Sequence, residues 1–166
     1  MSTLTPYHDQ HLAFMRRAIA LSSRAALEYA TGGAFGALIV KDGQVVAEGM
    51  NRVIASHDPT WHAEMEAIRL ACITLQSFKL TGCALYTSAE PCPMCLAAAY
   101  WAGIERIYYA ATIEDAWEYG GFDDHLIYQE LALSPEQRCL PMTGLLREEA
   151  MEVWKQYQVK PDKVPY

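Results

Sequence analysis

The chain has 166 residues, 52% of them apolar and 20% charged, with a formal net charge of −7. That length suits one domain with a sizeable core, and the acidic balance argues against a partner whose phosphates must be neutralised, so no nucleic acid is expected. No apolar run approaches the roughly 20 residues of a bilayer span, and residues 1–14 show no basic-then-apolar leader pattern, so neither a membrane nor a signal peptide is expected.

In chain order, Asp9–Tyr29 reads as a helix with an apolar stripe at Leu12, Met15, Ile19, Ser22 and Ala26, ended by Thr31-Gly32-Gly33. Ala37–Val40, Lys41-Asp42-Gly43-Gln44 and Val45–Gly49 read as strand, turn and strand, because Asp-Gly between apolar runs favours a hairpin. Asn51–His57 is a polar connection, and Asp58-Pro59-Thr60 opens a helix that runs to about Gln76. Cys83–Thr87 is a buried strand, Ser88–Pro91 a loop, Pro93–Ala102 an apolar helix ended by Gly103, and Ile104–Ala111 another strand. After the Gly120-Gly121 break come a helix at Asp123–Leu133, a strand at Cys139–Leu145 and a helix at Arg147–Tyr157, with Pro161 and Pro165 keeping the tail extended. A hairpin followed by alternating strands and helices predicts an α/β fold: a three-layer α/β/α sandwich around a central mixed five-stranded sheet, as one domain over 1–166.

The chemistry concentrates in His62-Ala63-Glu64 and Pro91-Cys92-Pro93-Met94-Cys95, each at a helix start. Cys92 and Cys95 are three apart, so both face one point from a first helical turn. The partial positive charge of a helix N-terminus favours the thiolate. His62, Cys92 and Cys95 supply one nitrogen and two sulfurs, which suits Zn2+ with its fourth position open to water. Glu64 continues an apolar stripe through Ile68, Ala71, Cys72 and Leu75, so its carboxylate faces inward, where a zinc-bound water would compensate its burial. H-x-E followed by P-C-x-x-C is the signature of zinc deaminases, with Glu64 as the proton carrier. The chain has five cysteines, an odd number, which opposes a disulfide framework. Cys72, Cys83 and Cys139 read as small buried apolar residues, and His8, His11, His57 and His125 as surface or loop histidines.

These motifs resemble the cytidine deaminase-like superfamily and, more narrowly, the small bacterial guanine deaminases. The resemblance is carried by Gly32-Gly33-Ala34-Phe35-Gly36-Ala37, Asp58-Pro59-Thr60 before the zinc histidine, Tyr86-Thr87-Ser88, Tyr100-Trp101-Ala102 and Gly121-Phe122-Asp123-Asp124. It implies a cytoplasmic enzyme of purine catabolism, hydrolysing guanine to xanthine and ammonia. It also implies a base-binding role for Asn51, base contacts for Phe35, Ala63 and Trp101, and proton transfer or base binding by Asp124, with Asp123 the secondary choice. Tyr166 matches a C-terminal tyrosine that closes a partner's site through a swapped tail, here 158–166, which implies a homodimer. Trp61 departs from the small residue usual before the zinc histidine, and either reshapes the pocket or packs outward. The rivals are a guanosine or other amino-heterocycle deaminase, a tRNA adenosine deaminase, which needs a basic surface, and a non-catalytic zinc module, which needs a fourth protein ligand.

Overall fold

Ala37, Leu38, Ile39 and Val40 are all buried, and this run lies in an inner strand of the sheet. β1 (Gly36–Lys41) pairs antiparallel with β2 (Gln44–Met50) on one side and with β3 (Cys83–Ala89) on the other. β4 (Arg106–Ala111) runs parallel to β3, giving the order β2-β1-β3-β4. Asp42 and Gly43 both take positive φ (49° and 71°), the conformation a tight hairpin turn demands.

The strand's two-residue period sends alternate side chains to opposite faces. Ala37 and Ile39 pack with Ala63, Ala67 and Ala71 of the helix Ala63–Leu75; Leu38 and Val40 pack with Ala18 and Leu21 of the helix Pro6–Ser23. Helices therefore cover both faces, and the three-layer sandwich stands. In chain order the helices are α1 (Pro6–Ser23), α2 (Val53–Ser56), α3 (Ala63–Leu75), α4 (Pro93–Ala102), α5 (Ile113–Gly120), α6 (Asp124–Ala132) and α7 (Arg147–Gln158).

The structure is a computed structural model that describes residues 6–165. It forms two compact units, one up to His125 and one from Leu126. The first holds the sheet. The second holds most of α6, a short 3₁₀ turn at Pro135–Gln137, and α7. Among the described residues, no helix is long and apolar enough to cross a membrane.

The sheet has four strands, not five. Cys139–Leu145 has no regular structure, and Leu140, Met142 and Leu145 are 77%, 67% and 80% exposed. Pro141 lacks a ladder donor. The Cys139 N–H donates instead to the Glu130 carboxylate, and the Arg138 guanidinium donates to the carbonyls of Glu130, Leu131 and Leu133. Cys139 is exposed rather than buried.

Other boundaries also moved. The first helix ends at Ser23 and continues as a π turn over Arg24–Glu28, and its buried face is Ala18, Leu21, Ser22 and Ala25, leaving Ile19 exposed. The helix expected to open at Asp58 begins at Ala63, because Asp58 Oδ1 accepts from both the N–H and the hydroxyl of Thr60 and holds a turn there. α2 lies inside the expected polar connection. α5 was not expected at all; a reciprocal Thr112–Asp115 capping box starts it and Gly121 ends it. His11 is no plain surface histidine: its Nδ1 meets the Tyr86 hydroxyl, and its ring lies 4.6 Å from that of Tyr108.

α3 approaches β2 closely through its small residues, and Gly49 is where they meet. A Cβ at Gly49 would sit 2.1 Å from the Ala63 carbonyl oxygen and 2.7 Å from the Ala67 nitrogen. Gly49→Ala therefore forces backbone apart at the start of α3. It should destabilise the chain by about 1–3 kcal/mol or more, read as a lower urea midpoint with an unchanged slope.

Candidate active site

His62, Cys92 and Cys95 come together from two helix starts. His62 is the N-cap of α3 and Cys92 the N-cap of α4, both with extended backbone. Pro93 holds the first position of α4, where its missing N–H is not needed. Cys95 follows one turn later and is fully buried.

The His62 Nδ1 lies 3.5 Å from the Sγ of Cys92 and 3.5 Å from the Sγ of Cys95. All three donor atoms lie within 4.8 Å of one another. A tetrahedral zinc, with Zn–S about 2.3 Å and Zn–N about 2.05 Å, needs N···S separations of about 3.6 Å. The residues fit the ion. Among the described residues, no fourth histidine, cysteine or carboxylate joins the group, which leaves one coordination position for water and opposes a purely structural zinc module.

The charges suit a cation. The hydrogen bond from Cys95 pulls the Cys92 thiol down to about 4, with burial opposing and His62 assisting. The same bond to Cys92, with burial, pushes Cys95 up. The pair thus keeps one thiolate ready, and cation binding releases the remaining proton. His62 is raised chiefly by its hydrogen bond to Cys92.

Beside these ligands lies a cavity of about 400 Å³. Its polar lining includes Asn51, His62, Glu64, Glu90 and Asp124, and its apolar walls include Phe35 and Phe122 on one side and Val53, Ile54 and Pro59 on another. Glu64 is only 3% exposed; the Thr87 hydroxyl donates to its Oε1 at 3.3 Å, and burial raises its pKa. Asp124, half-buried, is also raised, by burial first and then by Cys92. Phe35 and Phe122 meet edge to face with centroids 5.0 Å apart.

Asn51 is held rigidly. Its N–H donates to the Phe35 carbonyl at 3.0 Å, its carbonyl accepts from the Thr31 hydroxyl at 2.7 Å, and its side-chain Oδ1 accepts from the Val53 N–H at 3.2 Å. The amide nitrogen makes no hydrogen bond among the described residues and is available to a ligand. Gly32 makes this possible: a Cβ there would lie 1.9 Å from Asn51 Oδ1.

The structure thus gathers His62, Cys92, Glu64, Asn51, Phe35 and Asp124 around one cavity, with Cys95 completing the metal group. Ala63, Trp101 and Asp123 do not line it. Ala63 is buried between His62 and Glu64, Trp101 is 65% exposed on α4, and Asp123 is exposed. Tyr166 lies outside the described residues. Sequence reasoning gave no role to Glu90, Phe122, Val53, Ile54, Pro59 or Thr87. The Glu-Pro-Cys, Phe-Asp-Asp, Asp-Pro-Thr and Tyr-Thr-Ser runs carried a signal for Glu90, Phe122, Pro59 and Thr87; Val53 and Ile54 become neighbours only when the loops meet.

The profile of the cytidine and deoxycytidylate deaminase zinc-binding region matches residues 8–111. The guanine deaminase of Bacillus subtilis is 45% identical over 153 residues, 90% of this chain and 97% of that one. A crystal structure of guanine deaminase from Bacillus subtilis superposes with a TM-score of 0.89 at 44% identity, covering 94% of this chain and 98% of that one. A tRNA-specific adenosine deaminase of Agrobacterium fabrum is 47% identical over 76 residues, 46% of this chain and 50% of that one. With the zinc ligands, the buried glutamate and the cavity in place, these likenesses lead to one conclusion: the chain belongs to the zinc-binding cytidine and deoxycytidylate deaminase family.

Proposed function

We propose that this chain is a zinc-dependent guanine deaminase, converting guanine and water to xanthine and ammonia. The observation that carries the reading is Glu64, a carboxylate buried beside three zinc-ligating atoms on the wall of a base-sized cavity. The likeness to a guanine deaminase over nearly the whole of both chains supports the substrate.

When bound, zinc lowers the pKa of a water to about 7. Glu64 would be the proton carrier, taking a proton from the attacking water and delivering it to the ring nitrogen beside the amine-bearing carbon. The carbon–nitrogen bond then breaks, and a second proton reaches the departing amine. Asp124, whose half-buried carboxyl lines the same cavity, either carries that proton or holds the guanine edge; Asp123 is the secondary choice. Asn51 Nδ2 donates to an acceptor on the purine. Phe35, with Phe122 against it, bounds the base, and Ala63 lies in the backbone between ligand and proton carrier.

The assembly forms part of the same proposal: a homodimer in which the whole chain, 1–166, serves as one deaminase domain and the tail 158–166 passes to a partner subunit. Two features support a partner surface: Tyr100 and Trp101 on α4 are 80% and 65% exposed, and the edge strand β4 exposes Tyr109. Trp101 and Tyr166 then belong to the base site through the second copy. The cytoplasm, where thiols stay reduced, suits a site built on two cysteines.

Three measurements test the reading. Glu64→Gln should keep its zinc yet lose about 10²–10⁴-fold in ammonia release from guanine. Cys92→Ala and Cys95→Ala should lose zinc by metal analysis after dialysis, and activity with it. In parallel assays guanine should react far faster than guanosine or tRNA adenosine; tRNA turnover with salt-sensitive binding would instead favour the tRNA reading.

A further inference from the structure

Two stretches of chain supply much of the cavity wall. One carries Asn51, Val53 and Ile54; the other carries Pro59, His62 and Glu64. Outside the cavity, the side chain of Glu66 joins residues that flank both. The carboxylate of Glu66, on α3, accepts the Met50 N–H at Oε2 (2.7 Å) and the Trp61 indole N–H at Oε1 (3.2 Å). Met50 immediately precedes Asn51, and Trp61 immediately precedes His62.

The bonding has a structural reason. β2 is an edge strand, so its outward N–H groups have no strand partner. Glu66 satisfies the last of them, at Met50. One residue beyond Asn51, the Arg52 N–H donates to the Trp61 carbonyl at 3.0 Å, and the Arg52 guanidinium lies 5.8 Å from the centre of the Trp61 ring. Trp61 is half-buried and does not line the cavity. Its bulk therefore leaves the pocket's shape alone, and its indole serves as a donor to the bridge.

We infer that Glu66 is a positioning residue for substrate binding: by bridging Met50 and Trp61 it fixes Asn51 relative to the zinc ligand His62 and the proton carrier Glu64. This rests on the reading of Asn51 as the base-binding amide. Glu66 touches neither ion nor base. It sets the distance between the donor that reads the purine edge and the groups that act on its amine-bearing carbon. Loss of the bridge removes the side-chain tie between the strand end before Asn51 and α3, leaving the Arg52–Trp61 backbone bond, while the metal group stays anchored by α3 and α4.

The test compares KM and kcat for guanine, together with zinc content, in Glu66→Ala, Glu66→Gln, Trp61→Phe and Asn51→Ala. Glu66→Ala should raise KM about tenfold, the scale of one well-made hydrogen bond to a charged group, with kcat within about threefold and zinc content unchanged. Glu66→Gln should recover much of the loss, because its amide oxygen still accepts from Met50. Trp61→Phe removes one donor and keeps a ring, so it should give a smaller rise in KM. The double variant Glu66→Ala/Trp61→Phe should be no worse than Glu66→Ala alone, since both act through one bridge. Where Glu66→Ala folds poorly, Glu66→Gln and Trp61→Phe carry the comparison. The inference falls if KM is unchanged in the Glu66 and Trp61 variants while Asn51→Ala raises it, or if zinc content and kcat fall with KM intact. An unchanged KM in Asn51→Ala would instead overturn the base-binding reading of Asn51.

Discussion

Two helices must begin at the same point, and the active site depends on that constraint. A helix start carries partial positive charge and unsatisfied N–H groups. Bringing the N-termini of α3 and α4 together is unfavourable unless negative charge lies between them. His62 and Cys92 occupy the two N-caps, neither of which has a side-chain cap of its own. The Cys92 thiolate provides the charge. The feature that makes the thiolates good metal ligands is therefore the same one that lets the two helices converge. Packing fixes the point of convergence: Ala63, Ala67 and Ala71 present almost no bulk to the sheet, so α3 lies directly on β2, and Ala102 of α4 joins the same buried cluster.

Glu64 shows how this frame becomes chemistry. Three residues from Ala67 and four from Ile68, it sits on the buried face of α3 and cannot turn to water. The Thr87 hydroxyl on β3, a neutral group, donates to its Oε1. A single neutral hydrogen bond does not offset the burial of a charge, so the carboxyl is held toward its protonated form until a cation lies beside it. A group poised between the two forms is what a proton carrier needs. Thr87 adds orientation, keeping one oxygen engaged and leaving the other for the reaction.

Much of this was legible in the sequence because it is local. Asp42-Gly43 marks its own turn, Cys92 and Cys95 share a helical first turn by spacing alone, and Glu64 betrays itself by continuing an apolar stripe. What was not legible depends on contacts between distant segments or on competition between local signals. Cys139–Leu145 has a strand's apolar content, yet Pro141 and the pull of Glu130 and Arg138 keep it irregular. Pro59 looks like the first residue of a helix, but the Asp58 side chain captures Thr60 and delays the start to Ala63. The Thr112–Asp115 capping box that starts α5 was visible and went unread, since the glycine pair after it dominated that stretch. That Glu66 meets a strand edge and an indole follows from the fold, not from periodicity.

The choice of base rests on hydrogen-bond polarity more than on the metal, because the same zinc chemistry serves any amino-heterocycle that presents its carbon. The Asn51 side-chain oxygen accepts from Val53, which leaves its N–H donors open to a ligand. In the proposed role of Asn51, those donors would read an acceptor. Guanine offers two neighbouring acceptors, O6 and N7, on one edge. Holding the oxygen of Asn51 against the backbone thus fixes which end of the amide is engaged and leaves the N–H end open. Gly32, by leaving room for that oxygen, is part of the selection.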